Sequence, residues 1–210
     1  MSRSSKHIFL VRHARPDFPG ESPMFLGVLN PPLCAEGFDQ AAKLAAALKD
    51  VPFNMAFSSD LKRAVQTADA VLSGRNIPLT QMPELREINP GICDGLSIRE
   101  ALEKYPYIKA AREQDIFGYR MPGGESFADL EERIWPVFCD IAHATTQNTL
   151  MVCHSGVNKV ILRHILNYEK DKLFSIYQSH CGINVIAINE KRGFSVKAVN
   201  WVPSASTILE

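Results

Sequence analysis

Short apolar runs alternate along the chain with amphipathic or alanine- and leucine-rich stretches, which predicts strands alternating with helices. The apolar runs predict strands at residues 8–11, 55–58, 149–153, 183–188 and 194–201. The other stretches predict helices at residues 36–49, 61–72, 97–105, 126–145 and 157–166. This alternation favours an α/β fold with three layers, α/β/α, in which helices cover both faces of a mostly parallel central sheet.

Turn and capping residues indicate where several of these elements begin and end. The candidate N-cap residues are Asp60 or Ser59, Ser97, and Ser126 or Glu125. Glu100 follows Ser97 by three residues, which predicts a capping box, and Pro136 is expected to kink the long helix that contains it. Residues 189–193 predict the turn of a hairpin.

Residues 83–121 show no clear strand pattern. They contain Pro90, Gly91 and Gly95, and a strong helix breaker, Pro122-Gly123-Gly124, follows them. We expect a single domain over residues 1–210, with residues 83–121 inserted as a small cap over the functional edge of the sheet.

Composition narrows the range of partners and compartments. Lysine plus arginine and aspartate plus glutamate balance at 23 each, which argues against nucleic acid or an anionic membrane as a partner. The five cysteines are scattered and lack C-x-x-C spacing, as is typical of a reducing compartment. Since there is no apolar signal segment and no stretch of membrane-spanning length, we expect a cytoplasmic protein that acts on a small molecule. A homodimer is left open.

Residues suited to binding an oxyanion beside a nucleophile follow three of the predicted strands. Arg12 and His13 end the first apolar run, where an open α/β sheet places its active site. Arg63 lies in the first turn of the helix after the second strand, where anions are already favoured. His154 and Ser155 follow the strand at 149–153, and Ser155 could offer its hydroxyl or its backbone N–H.

These segments, in this order, resemble the histidine phosphatase superfamily, in the branch that contains cofactor-dependent phosphoglycerate mutase and small phosphatases such as α-ribazole phosphatases. The segment from Gly27 to Gly37 is similar to the family's G-x-x-D-x-P-L-T-x-x-G. Residues 122–126 are similar to a P-G-G-E-S loop that is common among its phosphatases. The resemblance spans nearly the whole chain.

The resemblance implies a role for each candidate residue. His13 would be the nucleophile that becomes phosphohistidine. Glu87, in an E-x-x-x-G pattern that ends at Gly91, would donate the proton to the leaving oxygen. The groups that bind the phosphoryl oxygens would be Arg12, Arg63 and His154.

The chemistry of the residues agrees with these roles. Phosphoryl transfer depends mainly on positioning and charge stabilisation, which two guanidiniums and a second imidazole supply without a metal or another cofactor. His13 must be neutral at the attacking nitrogen, so its other nitrogen needs an acceptor such as a backbone carbonyl. An alkoxide leaving group needs a proton, and Glu87 must therefore act first as an acid and then as a base toward water. Glu84 is the rival for that role.

The chain departs from the family pattern at several positions. Ala14 stands where the family usually has glycine after the nucleophile, so the loop must accommodate a Cβ atom. The asparagine that often follows is missing, and Arg15 is either a substitute cation or a solvated side chain. Asn30 replaces the usual aspartate. These departures affect the substrate more than the reaction.

Other readings compete with a metal-independent phosphomonoesterase. Cys93 and Arg99 have the C-x₅-R spacing of a cysteine phosphatase, but Asp94 would repel phosphate; Cys153 follows a strand but has Lys159 where arginine is needed. Serine-hydrolase and zinc motifs are missing. A phosphoglycerate mutase-type phosphotransferase and a catalytically inactive phosphate-binding module remain alternatives on the same fold.

Overall fold

The computed structural model describes residues 6–18, 23–189 and 193–203. Strands within these ranges are β1 (Lys6–Arg12), β2 (Phe53–Ser58), β3 (Leu79–Gln81), β4 (Asn148–Cys153), β5 (Ile183–Asn189) and β6 (Gly193–Trp201). Helices are α1 (Ala35–Ala47), α2 (Lys62–Leu72), α3 (Ile98–Lys104), α4 (Tyr107–Gln114), α5 (Phe127–Ala144) and α6 (Ser155–Leu166). Short 3₁₀ turns lie at Pro83–Leu85, Gly91–Cys93 and Lys170–Ser175.

These strands form one sheet in the order β3-β2-β4-β1-β5-β6. β1, β2, β3 and β4 pair in parallel, whereas β5 is antiparallel to β1 and β6 is antiparallel to β5. The prediction of a mostly parallel α/β sheet is therefore confirmed.

Side chains of β1 alternate between the two faces of the sheet, as the two-residue period of a strand requires. Ile8 and Leu10 pack on one face against the apolar sides of α5 and α6. Phe9 and Val11 pack on the other face against α1 and α2. Because helices cover both faces of the sheet, the sequence of β1 is apolar at successive positions. The molecule has the three predicted layers.

Several helix ends differ from the predictions. α2 has no side-chain cap from Asp60 or Ser59; the Oδ1 atom of Asn30 accepts the backbone N–H of Lys62 at 2.7 Å instead. Asp60 is engaged elsewhere, because its carboxylate pairs with Arg86. α6 begins at Ser155, two residues earlier than predicted.

Capping boxes open two helices. The box of Ser97 and Glu100 is confirmed, and Ser126, not Glu125, caps α5 through a box with Asp129. Pro136 lies inside α5, and its kink stays a prediction. The hairpin turn was predicted at residues 189–193; β5 and β6 pair up to Asn189 and Gly193, and residues 190–192 lie outside the described ranges.

Residues 83–121, all of which the structure describes, contribute no strand to the sheet. They form two of the 3₁₀ turns together with α3 and α4, and α4 was not foreseen as a helix. Four of their buried side chains, those of Cys93, Ala101, Ile108 and Met121, make a small apolar cluster of their own. Leu85 and Phe117 pack instead in the main core. Across the described ranges, every helix is too short or too polar to cross a membrane.

Candidate active site

The carboxyl ends of β1, β4 and β2 meet at one edge of the sheet. Arg12 of β1 is in register with Cys153 of β4, so His13 and His154 leave neighbouring strands side by side. Their ring centroids are 5.0 Å apart. The loop after β2 leads to Arg63 in the first turn of α2. The structure therefore brings the predicted histidines and arginines together.

His13 is held as a neutral imidazole with one free nitrogen. Its Nδ1 atom lies 2.7 Å from the carbonyl oxygen of Ala14. Because a carbonyl can only accept, Nδ1 carries the proton and Nε2 carries the lone pair. Burial lowers the pKa of His13 well below its ordinary value, and the neighbouring His154 and Arg63 lower it further. His13 therefore has the protonation state that a nucleophile needs.

Arg12 is anchored through one of its terminal nitrogens. One terminal nitrogen donates to the carbonyl oxygen of Gln178 at 2.7 Å. The amide of Gln178 in turn exchanges two hydrogen bonds with the amide of Asn184, at 3.0 and 2.8 Å. Burial lowers the pKa of Arg12 from its ordinary value. This network fixes the guanidinium at the end of β1.

Arg63 is fully buried and is held by a loop that precedes α1 in the chain. Its terminal nitrogens donate to the carbonyl oxygens of Leu29 and Gly27, both at 2.7 Å. Asp94 shapes that loop, because its carboxylate accepts the backbone N–H groups of Gly27 and Leu29 at 2.7 and 2.9 Å. Burial lowers the pKa of Arg63 to about 10, against the raising effect of Glu87 and Asp94.

Buried hydrogen-bond donors without partners collect at this edge. The Nε atoms of Arg12 and Arg63 and both ring nitrogens of His154 are buried and make no hydrogen bond within the described part of the chain. Burial, Arg63 and Arg12 lower the pKa of His154 well below its ordinary value, which leaves a neutral ring with one N–H donor. Since buried polar groups are normally paired, these atoms mark a place for an anion.

Glu87 extends from the cap segment, residues 83–121, toward this anion site. Both of its carboxylate oxygens accept the backbone N–H of Gly156, at 3.1 and 3.0 Å, and Oε1 also accepts the N–H of Ile88. A Cβ atom added to Gly156 would lie 2.4 Å from Oε1. Glu84 is exposed and does not line the cleft described below. The carboxyl group at the N-terminus of α6 is therefore that of Glu87.

The P-G-G-E-S loop braces the segment that carries this carboxyl group. Gly91, with a φ of +56°, packs so closely that an added Cβ atom would lie 2.0 Å from the carbonyl oxygen of Pro122. Glu125 forms an ion pair with Arg133 at 2.9 Å and accepts the backbone N–H of Asn89 at the same distance. The loop thus supports the site as well as starting α5.

A cleft of about 1320 Å³ opens over the site, and its wall includes Arg12, His13, Glu87 and Ser155. Ser155 is the first residue of α6, beside the N–H of Gly156. The cleft continues to the cap and has room for an organic group as well as a phosphoryl group. Side chains of α3 and α4 contribute to the same wall.

The departures from the family pattern have local explanations. Ala14 is buried without a positive φ, and its backbone N–H donates to Thr67 at 3.0 Å, so its Cβ atom is accommodated. Arg15 is exposed and pairs with Glu36 at 2.6 Å. Asn30 caps α2, as described above, and thereby fixes the start of the helix that carries Arg63.

His180 also lies at this site, although the sequence analysis did not single it out. Its ring centroid lies 5.6 Å from that of His13, and it lines the cleft. Burial, Arg12 and Arg15 lower the pKa of His180 to about 3. The sequence patterns point only to residues that follow strands. Because β5 is antiparallel to β1, residues that precede β5, such as His180, lie at this edge of the sheet. Asp94 and Gln178 were missed because their roles depend on long-range contacts.

The cysteine alternative has no support in the geometry. Burial raises the pKa of Cys93 and of Cys153, which disfavours the thiolate that a nucleophile requires. Neither side chain lines the cleft, and Arg99 is exposed beside Glu103. Over the described ranges, no group of three or more histidine, cysteine, aspartate or glutamate side chains is arranged to hold a metal ion.

Comparison with known proteins agrees with this geometry. The family model of the histidine phosphatase superfamily (branch 1) matches residues 8–202. The chain belongs to this superfamily. Human 6-phosphofructo-2-kinase/fructose-2,6-bisphosphatase 4 is 32% identical over 173 residues, which cover 80% of this chain and 34% of that protein. The chain thus spans about a third of the length of the curated relatives it matches.

Solved structures of this histidine phosphatase fold superpose on nearly the whole chain. The α-ribazole phosphatase from Shigella flexneri is 26% identical, with a TM-score of 0.81 over 93% of this chain and 96% of that one. Bacillus stearothermophilus YhfR is 27% identical, with a TM-score of 0.84 over 91% of this chain and 95% of that one. The family resemblance inferred from the sequence motifs is therefore confirmed.

Proposed function

We propose that this protein hydrolyses a small phosphorylated metabolite by way of a phosphohistidine at His13, without a metal or another cofactor. The observation that carries the proposal is the set of unpaired buried donors on Arg12, Arg63 and His154 beside a neutral His13. A phosphoryl group would supply the oxygens that these donors lack. Its roughly two negative charges would also offset the cost of burying two guanidiniums.

The first step transfers the phosphoryl group to the enzyme. The Nε2 lone pair of His13 attacks phosphorus, and the bond from phosphorus to the ester oxygen breaks. Glu87 gives its proton to that oxygen, so that an alcohol leaves. Arg12, Arg63 and His154 stabilise the charge on the equatorial oxygens.

The second step releases inorganic phosphate. A water molecule attacks phosphorus while Glu87 takes one of its protons, and the N–P bond breaks to restore the neutral ring of His13. The carbonyl oxygen of Ala14, 2.7 Å from Nδ1, holds the same tautomer through both steps. That hydrogen bond also stabilises the positive charge that the ring carries while it is phosphorylated.

The same proposal extends to the class of metabolite and to the compartment. Relatives are named for action on fructose 2,6-bisphosphate and α-ribazole phosphate, which suggests a small phosphate ester. The free thiols at Cys34, Cys93, Cys139, Cys153 and Cys181 support a reducing compartment, and we propose the cytoplasm.

One assay separates this function from its alternatives. Phosphate release from a panel of small esters is measured with and without chelator, and phosphoglycerate mutase activity is measured alongside. We expect hydrolysis that chelator does not remove. Transfer to a second substrate hydroxyl without net release of phosphate would favour the mutase, and the absence of both activities would favour an inactive phosphate-binding module.

A further inference from the structure

The nucleophile lies between two other histidines, one from each neighbouring strand. In the sheet, β1 is flanked by β4 on one side and by β5 on the other. His154 follows β4, and His180 precedes the antiparallel β5, so both reach the edge at which β1 ends. Their ring centroids lie 5.0 and 5.6 Å from that of His13. His180 therefore flanks His13 from the β5 side, as His154 does from the β4 side.

A tight turn fixes the backbone that carries His180. The backbone N–H of Cys181 donates to the carbonyl oxygen of Arg12, and the N–H of Arg12 donates to that of Gly182, both at 3.1 Å. The N–H of Gly182 also donates to the carbonyl oxygen of Ser179 at 3.0 Å, which closes the turn. Cys181 has a φ of +56°, a conformation that is unfavourable for a residue with a Cβ atom and persists only where surrounding contacts impose it. His180 is thus attached directly to the end of β1.

The ring of His180 has hydrogen-bonding capacity that the protein does not use. It lines the cleft and is partly exposed. Within the described residues, no hydrogen bond or ion pair involves its ring nitrogens. Because burial, Arg12 and Arg15 lower its pKa to about 3, the ring is neutral near pH 7 and presents one N–H donor to the cleft.

The geometry of in-line transfer indicates which part of a substrate this donor meets. Phosphorus lies on the line of the His13 lone pair, the ester oxygen lies on its far side, and the three equatorial oxygens surround that line. Side chains that flank the His13 ring therefore face equatorial oxygens, whereas Glu87 serves the ester oxygen in the proposed mechanism. His154 occupies one flank, and His180 occupies the other.

We propose that His180 is a further substrate-binding residue, whose ring N–H donates to an equatorial oxygen of the phosphoryl group on the side of His13 opposite His154. This inference rests on the proposed hydrolase function and deepens it. Every phosphate ester presents these oxygens, so the contribution of His180 should be the same for alkyl and aryl esters. That independence of the leaving group distinguishes His180 from Glu87.

Three substitutions at position 180 separate the hydrogen bond from ring packing. His180→Phe keeps a ring against His13 but removes both nitrogens. His180→Asn and His180→Gln remove the ring but keep an N–H donor, near the position of Nδ1 in asparagine and of Nε2 in glutamine. Melting temperatures confirm that each variant is folded.

Values of kcat/KM on a sugar phosphate and on p-nitrophenyl phosphate give the first readout. In His180→Phe we expect both to fall about 10- to 100-fold, as for the loss of a hydrogen bond to a charged group. At least one amide variant should recover most of the rate on both esters. Activity at the wild-type level in His180→Phe, equal losses in all three variants, or a loss confined to the sugar phosphate would overturn the proposal.

Binding of the free oxyanion gives a second readout that needs no turnover. Calorimetric binding of inorganic phosphate should be about 10- to 100-fold weaker in His180→Phe than in the wild type. Tyr177→Phe is the matched control, because Tyr177 lines the same cleft but is 71% exposed, and it should bind phosphate as the wild type does. Equal binding by the wild type and His180→Phe would reject the contact.

Failure of the hydrolase itself gives a different result. If the wild type hydrolyses none of the esters, the proposed function is contradicted. His180 is then judged by phosphate binding alone: weaker binding in His180→Phe that an amide variant restores supports the contact, and unchanged binding rejects it.

Discussion

The Nδ1 atom of His13 lies 2.7 Å from the carbonyl oxygen of Ala14, the very next residue. This short-range contact determines which ring nitrogen is free, because the carbonyl requires a proton on Nδ1. Nε2 is then the unprotonated nitrogen of the ring. The family's usual glycine at position 14 is not needed for this arrangement, since Ala14 makes the contact without a positive φ.

Glu87→Gln should separate substrates by their leaving groups. Loss of the proton donor is expected to slow alkyl esters such as sugar phosphates about 10²- to 10⁴-fold, and p-nitrophenyl phosphate far less, because nitrophenolate leaves without a proton. Initial rates on both esters are measured for the variant and for the wild type.

Glu84→Gln is the matched control for that experiment, since Glu84 is exposed on the neighbouring 3₁₀ turn. If Glu84→Gln showed the leaving-group dependence and Glu87→Gln did not, the assignment would be wrong by three residues. If neither showed it, the proton would come from another group.

Gly156→Ala should imitate the loss of Glu87. The new Cβ atom would lie 2.4 Å from Oε1 of Glu87, at the far end of a flexible side chain, so the carboxyl group is displaced at small cost to folding. Alanine is also the better helix residue by about 0.5–1 kcal/mol. We expect slower hydrolysis of alkyl esters with an unchanged or raised melting temperature.

A double-variant cycle tests whether Gly156→Ala acts through Glu87. Adding Gly156→Ala to Glu87→Gln should cause little further loss, because both changes remove the same group. Fully additive losses would show that Gly156 acts through something other than Glu87, such as direct contact with the phosphoryl group.

Parts of this site are predictable from the sequence because they depend on local order along the chain. His13 and His154 each follow an apolar run, and the carboxyl ends of parallel strands meet at one edge. The box of Ser97 and Glu100 is equally local. The N-terminal capping of α2 does not depend on local order. Asn30, in the loop before α1, accepts the backbone N–H of Lys62, while Asp60, which is nearer in sequence, pairs with Arg86.

Other parts depend on strand direction and on packing that no local pattern carries. His180 is near His13 only because β5 runs antiparallel to β1. Arg63 is positioned by carbonyl groups of residues 27 and 29, and that loop is shaped by Asp94, about thirty residues farther along the chain than Arg63. From the sequence, the charge of Asp94 was expected to repel phosphate. In the structure its carboxylate accepts backbone N–H groups of the loop at residues 27–29.

Chelator should leave the activity unchanged, whereas oxyanions should inhibit it. Activity is expected to survive EDTA, because Arg12 and Arg63 supply the positive charge. Vanadate or tungstate should inhibit by occupying the place between Arg12, Arg63 and His154. Initial rates with each reagent provide the measurement, and complete inhibition by chelator that added metal reverses would reject the metal-independent mechanism.

The buried neutral histidines should make the protein sensitive to acid. His154 has a lowered pKa in the folded state, whereas in the unfolded chain it binds a proton near pH 6.5. Below that pH the unfolded state holds more protons, so the free energy of unfolding falls as pH decreases through about 6.5, by up to about 1.4 kcal/mol per pH unit for one histidine.

Urea unfolding of the wild type and of His154→Gln, from about pH 7.5 down to about pH 5, measures this slope. The variant should show a shallower dependence on pH, and His143→Gln, at an exposed position near the end of α5, should match the wild type. Parallel slopes for the wild type and His154→Gln would exclude the linkage.

Trapping the phosphoenzyme tests the central claim most directly. The protein is mixed with a radiolabelled ester, quenched in alkali within the first turnover, and digested for peptide mapping. The account predicts an acid-labile, alkali-stable label on the peptide that contains His13, and neither label nor turnover in His13→Ala. Label on another residue, or hydrolysis by His13→Ala at the wild-type rate, would contradict it.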